Sequence, residues 1–306
     1  MRPRRYLQLD VFADRPGAGN PLGVVLDAAD LDTAAMQAFA AWTRLSKTIF
    51  FLPPTSAEAD YRIRIFTPRR ELPFAGHPSI GAAWAALETG LAPETGALVQ
   101  ECEAGLLPVS VEGRGADRLV RLRAPAARPQ PVSAPARDLL AAVLAQLPLG
   151  PLPAALWNNG PAWWLVELED ADAVRALVPD LSAIDALSRA SGAIGLAVFG
   201  LAVFGQAATN QAATDQAAMD QKHALAVRAF CPADDIPEDP VTGSANAAIG
   251  ALLHAAGRFP GLHGRYIASQ GRELGRDGRV TVELDATGDI WIGGQVQAVI
   301  AGSATW

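Results

Sequence analysis

A chain of 306 residues, half of them hydrophobic and a fifth charged, is long enough for two ordinary domains with sizeable cores. Its net charge of −7 comes with no basic stripe beyond the opening MRPRR, which argues against a nucleic-acid partner. Two cysteines, Cys102 and Cys231, make neither a disulfide framework nor a zinc spacing; both read as small core hydrophobes, and no metal is expected.

Near the N-terminus RYLQLDVFA alternates apolar and polar residues as a strand does, and Asp10 and Asp14 interrupt any signal-peptide core. The turn DRPGAGNP leads into a second strand, PLGVVLDA (21–28). LDTAAMQAFAAWTRL (31–45) has helical periodicity, and KTIFFLPP is a strand stopped by two prolines. ADYRIRIFTP (59–68) puts Tyr61, Ile63 and Ile65 on one face of a strand. HPSIGAAWAALETG (77–90) predicts a helix, with Pro78 in its first turn and Gly90 just past its end. Strands follow at ALVQECEAG, LLPVSVEG and RLVRLRAP. The Pro- and Ala-rich stretch 124–137 then reads as a boundary between a domain over 1–125 and another over 135–296.

The second half predicts a helix at ARDLLAAVLAQL, a strand at PAWWLVELED and a helix at LSAIDALSRASG. The apolar run 192–205 is too short and too glycine-rich to span a membrane, so a soluble protein in the reducing cytoplasm is expected. From Leu196 the sequence repeats every five residues, as LAVFG, LAVFG, QAATN, QAATD and QAAMD. The last three units lack an apolar core position, so 206–221 reads as an exposed, mobile low-complexity insertion rather than a β-helix. HALAVRAFCP is a strand, TGSANAAIGALLHAAG a helix, and RYIASQG, RVTVELD and DIWIGGQVQAVIAGSA are strands. The last segment, about 297–306, is expected to cross back to the first domain. Strands are joined by short turns as often as by helices, which does not fit a doubly wound parallel sheet. No GxGxxG or P-loop follows a strand, so no nucleotide cofactor is expected.

The two halves echo each other. FTPRRELPFAGHPSIGAAW (66–84) and FCPADDIPEDPVTGSANAAIGALL (230–253) both read Phe-x-Pro, four residues, Pro, and then a glycine at a helix start. Duplication would bring two helix N-termini to one cleft, at Gly76-His77 and Gly243-Ser244, where free N–H groups suit a carboxylate. Gly76 would permit close approach, Pro78 would sacrifice no hydrogen bond, and His77 would stand at the anion.

LDVFADRPGAGNPLGVVLDAADL, RIFTPRRELPFAGHPSIGAAW, EDPVTGSANAAIGALL and SQGRELGRDGRVTVEL together resemble the PhzF (phenazine biosynthesis) family. The resemblance runs from about Leu9 to Gly302, with the five-residue repeat as an insertion. It implies an α/β (α+β) fold of two similar domains, each a curved mixed β-sheet wrapped on a central helix, as in diaminopimelate epimerase. It also implies a homodimer, no cofactor or metal, and an active site between the domains. Carried over, the family's catalytic positions fall on Lys47, His77, Asp239 and Ser244. Three match, whereas Lys47 stands in Ser46-Lys47-Thr48 where the family usually has glutamate. Gly76, Pro78, Thr242 and Gly243 are candidates for substrate binding. Asn20 either lines the cleft or fixes its turn.

Burial would favour a neutral Lys47, and a neighbouring Asp239 would favour the ammonium form, so base, charged clamp and lost catalysis all stay open. His77 and Ser244 could also serve only as helix-end caps, and Asp239 as a turn residue. The reading that follows is a cofactor-independent isomerase acting on a small carboxylate-bearing metabolite. The alternative is a non-catalytic binding or regulatory protein built on the same cleft.

Overall fold

Two helices, Gly76–Glu88 and Gly243–Ala255, consist largely of alanine, glycine and aliphatic residues, and a helix apolar on every side is stable only when enclosed. A computed structural model describes residues 2–202, 224–261 and 263–306, and each of these helices lies inside a mixed sheet. The expected mobile insertion at 206–221 lies outside the described residues.

The first half comprises β1 (Pro3–Val11), β2 (Asn20–Val25), α1 (Thr33–Thr43), β3 (Lys47–Leu52), β4 (Tyr61–Phe66), β5 (Glu71–Leu72), α2 (Gly76–Glu88), β6 (Ala97–Cys102), β7 (Gly105–Glu112) and β8 (Leu119–Arg123). β1 runs antiparallel to β2, β2 parallel to β3, β3 antiparallel to β4, and β4 parallel to β6. β6, β7 and β8 complete the sheet as an antiparallel meander, and the short β5 folds back on β4.

The second half comprises β9 (Arg128–Pro129), α3 (Ala134–Leu144), β10 (Ala155–Asn158), β11 (Ala162–Glu167), α4 (Ala171–Ala176), α5 (Leu181–Ser191), β12 (Gly195–Leu201), β13 (Leu225–Cys231), β14 (Ile236–Asp239), α6 (Gly243–Ala255), β15 (Arg265–Gln270), β16 (Gly278–Leu284), β17 (Ile290–Gly294) and β18 (Val296–Thr305). It repeats the same pattern of pairing: β10–β11 antiparallel, β11–β12 parallel, β12–β13 antiparallel and β13–β15 parallel. β15, β16 and β17 again form a meander, and the short β14 folds back on β13.

The halves also exchange strands. β9 follows β8 yet pairs with β10, and β18 follows β17 yet pairs along the whole of β1. β8 and β17 pair antiparallel and join the two sheets through their backbones. The run read as one strand over 289–304 is therefore two. It breaks at Gln295, where the chain leaves one sheet for the other.

One apolar cluster runs through both halves, from Leu9, Ile63 and Trp84 to Ile249, Val282 and Ile292. α3 and α5 cover the outer face of β11–β13 through a second cluster with Trp164, Val198 and Phe230 at its centre. α1 packs Met36 and Phe39 on Phe50 and Phe66 in a third. Tyr61, Ile63 and Ile65 do share a buried face of β4, as the alternation in that strand predicts.

Candidate active site

β5 and β14 each turn the chain into the N-terminus of a buried helix, and the two helix ends meet. A Cβ placed on Gly76 would lie 3.3 Å from the Gly243 Cα and 2.8 Å from Ile292 Cδ1, and a Cβ on Gly243 would also lie 2.8 Å from Ile292 Cδ1. Glycine is needed here because one helix mouth abuts the other. Neither N-cap residue, Ala75 nor Thr242, makes a side-chain capping bond. The first N–H groups of both helices therefore lack the usual side-chain acceptor.

A cavity of about 490 Å³ opens at this junction, a size suited to a small molecule. Lys47, His77, Asp239, Ser244, Gly76, Thr242 and Gly243 all line it. Asn20 and Pro78 are not among the lining residues. Asn20 is fully buried behind Asp239, and Pro78 is enclosed in the first turn of α2.

Asp239 ends β14 and is 7% exposed. Its Oδ1 accepts a hydrogen bond from Asn20 Nδ2 at 2.9 Å, and its Oδ2 one from Thr242 Oγ1 at 2.7 Å. The direction of every proton in this net is forced. Gln270 Oε1 accepts the Thr242 backbone N–H at 2.9 Å, so its amide nitrogen faces the other way, toward the Asp239 carbonyl at 3.0 Å and Thr242 Oγ1 at 2.9 Å. With Gln270 donating to it, the Thr242 hydroxyl gives its one proton to Asp239. Asn20 Nδ2 also donates to the Val241 carbonyl at 2.8 Å, leaving its Oδ1 to accept from Ser46 Oγ at 3.1 Å. Ser46 immediately precedes Lys47, so this chain of bonds ties the start of β3 to the Asp239 loop across the halves. The Thr242 hydroxyl thus holds Asp239 from within the wall of the cavity.

His77 is 4% exposed, and its Nε2 is buried without a hydrogen-bond partner. Burial, and then the charge of Lys47, push its pKa well below the ordinary value near 6.5, so the ring is neutral at pH 7. The Ser244 hydroxyl accepts from Trp163 Nε1 at 3.1 Å, and the Ser244 carbonyl accepts from Asn159 Nδ2 at 2.9 Å. No hydrogen bond or ion pair joins Lys47 to Asp239 or His77 among the described residues.

Several lining residues carried no sequence signal. Trp163 lies in a Trp-Trp pair whose alternate members serve opposite faces of β11, one toward the cavity and one toward α5. Cys231 also lines the cavity, and burial followed by the Asp239 carboxylate pushes its thiol well above the ordinary range. Arg70 and Arg189 stand on the wall, paired with Asp234 at 3.3 Å and Asp185 at 2.8 Å respectively. Among the described residues no group of three or more His, Cys, Asp or Glu gathers as a metal site would require, and no helix is long and apolar enough to cross a membrane.

Two mixed sheets of matching topology, each wrapped on a central helix, with a cavity where the helix mouths meet, define the diaminopimelate-epimerase-like class of fold. Residues 9–305 match the phenazine biosynthesis-like protein family, and the chain belongs to that family. It is 32% identical to antisense-enhancing sequence 1 of Schizosaccharomyces pombe, over 99% of both chains. It is 33% identical to trans-2,3-dihydro-3-hydroxyanthranilate isomerase of Pseudomonas aeruginosa, over 93% of this chain and 92% of that protein. A crystal structure of a PhzF-family phenazine biosynthesis protein from Bacillus anthracis superposes with a TM-score of 0.81 at 26% identity, covering all of both chains.

Proposed function

We propose that this chain is an isomerase that moves a proton within a small carboxylate-bearing substrate, without a cofactor, in the cavity between its halves. One observation carries the reading: a buried carboxylate fixed by two donors and a buried, unpartnered, neutral imidazole line the same cavity. Asp239 accepts the Asn20 and Thr242 bonds, and each of its oxygens keeps a second lone pair free for a substrate proton. In this mechanism Asp239 takes a proton from one substrate carbon. That proton exchanges with solvent while Asp239 holds it, and a proton is then returned, directly or through His77, to another carbon of that substrate, so the product is an isomer. The uncapped mouths of α2 and α6 receive the substrate carboxylate, and the Ser244 O–H, with its oxygen held by Trp163, is a further donor to it.

Incubating the protein with trans-2,3-dihydro-3-hydroxyanthranilate in D2O and following C–H signals by NMR tests this reading. Deuterium incorporation is expected, with Asp239→Asn reducing its rate by a factor on the order of 100 to 10,000. Absence of exchange with this compound and with other small unsaturated carboxylates overturns it. Lys47, at a position where resemblance to the family leads one to expect a glutamate, favours a second reading as a non-catalytic binder. Saturable binding without exchange is the result that reading expects.

A further inference from the structure

The charged side chains on the cavity wall are Lys47, Arg70, Arg189, Asp234 and Asp239. Their partners leave an imbalance. Arg70 is paired with Asp234, and Arg189 makes a two-pronged contact with Asp185 at 2.8 and 3.0 Å. Each oxygen of Asp239 accepts from a neutral donor, Asn20 or Thr242, and neither makes an ion pair with Lys47. Lys47 is therefore the one lining cation without an ion-pair partner among the described residues. It is partly buried, at the first position of β3, with the neutral ring of His77 and the protonated thiol of Cys231 within reach of its field. A lysine fixed in a cavity wall without a counter-ion is a site waiting for an anion, because a half-desolvated ammonium gains most from a charge-assisted hydrogen bond.

We infer that the ligand of this cavity carries two anionic groups, a carboxylate at the mouths of α2 and α6 and a second anion held by the Lys47 ammonium. The inference rests on the carboxylate-isomerase reading for the first group and adds the second. Lys47 then acts as the specificity-determining cation. A substrate with one negative charge would leave it uncompensated, beside an imidazole that cannot balance it. A cavity of about 490 Å³ has room for a six-membered ring bearing two such groups. Lys47 also has a reason to be lysine: an acidic side chain here would repel the second anion.

The test measures binding of benzoate, phthalate and isophthalate by calorimetry or ligand-observed NMR to the wild type, Lys47→Met and Lys47→Arg. The wild type should prefer the better of the two dicarboxylates over benzoate by on the order of tenfold, one charge-assisted bond's worth. Lys47→Met should abolish that preference while leaving benzoate affinity within about twofold, and Lys47→Arg should retain it, which also controls for folding. An unchanged preference in Lys47→Met overturns the inference and leaves the carboxylate reading standing. Equal losses for benzoate and the dicarboxylates also overturn it, because Lys47 would then hold the first carboxylate. Failure of all three compounds to bind at millimolar concentration overturns both.

Discussion

His77 gives the most direct test of the electrostatics of the site. The ring is 4% exposed, with an unpartnered Nε2 and the positive charge of Lys47 nearby, and all three disfavour its protonated form. In the unfolded chain the same histidine takes up a proton near pH 6.5, while the folded protein refuses it. Between the two pKa values the unfolded state binds more protons, so stability rises with pH. This contribution is fully present above about pH 6.5 and is lost as pH falls through the depressed folded value. Its ceiling follows from the unfolded value alone: between about pH 7.5 and about pH 5 the loss reaches about 2 kcal/mol, at 1.36 kcal/mol per unit. His77→Gln removes the titrating group and keeps a side chain of similar reach. Urea denaturation of both proteins across that range should give a wild-type curve that falls toward the variant's as the medium becomes acidic. Parallel curves would refute the argument, and would mean that the imidazole finds a partner or water able to accept its charge.

Asn20→Asp should put two carboxylates about 4 Å apart between charge centres and lower stability at neutral pH by about 4 kcal/mol. The deficit should shrink as the pH falls from neutral, because the introduced carboxyl escapes the repulsion by taking up a proton, whereas Asn20→Ala, costing about 3 kcal/mol for the lost donors, should lack that pH dependence. Gly76→Ala should cost about 1 to 3 kcal/mol, because the new methyl meets Ile292 Cδ1 at 2.8 Å and Gly243 Cα at 3.3 Å. Ile292→Val removes the Cδ1 in question and should restore part of the loss in a double-mutant cycle of thermal unfolding; strict additivity would show that the clash lies elsewhere.

Local chemistry determined much of this protein from its sequence. The alternation of Tyr61, Ile63 and Ile65 sets the buried face of β4, and the prolines and glycines around 66–76 and 230–243 mark two equivalent strand–turn–helix units, because periodicity and turn residues act over a few residues. His77 was legible for the same reason, since it sits at a helix start whose signals are local, whereas Asp239 was pointed to by resemblance to the family. Other features had no local signal. β10 and α4 are short elements between prolines and acidic turns, and the continuous apolar run 289–304 hides the break at Gln295. Only the exchange of β18 onto β1, a pairing across nearly 300 residues, explains that break. Asn20 and Asp239 meet across 219 positions, and Gln270 reaches Thr242 across 28, so no spacing could reveal that Asn20 anchors the carboxylate from behind or that Thr242 holds it. Resemblance to the family pointed to Lys47, but its lack of an ion-pair partner among the described residues depends on where Arg70, Arg189 and their acidic partners end up. Charge balance in a cavity is a property of the closed fold, since Coulomb interactions follow distance through space rather than along the chain.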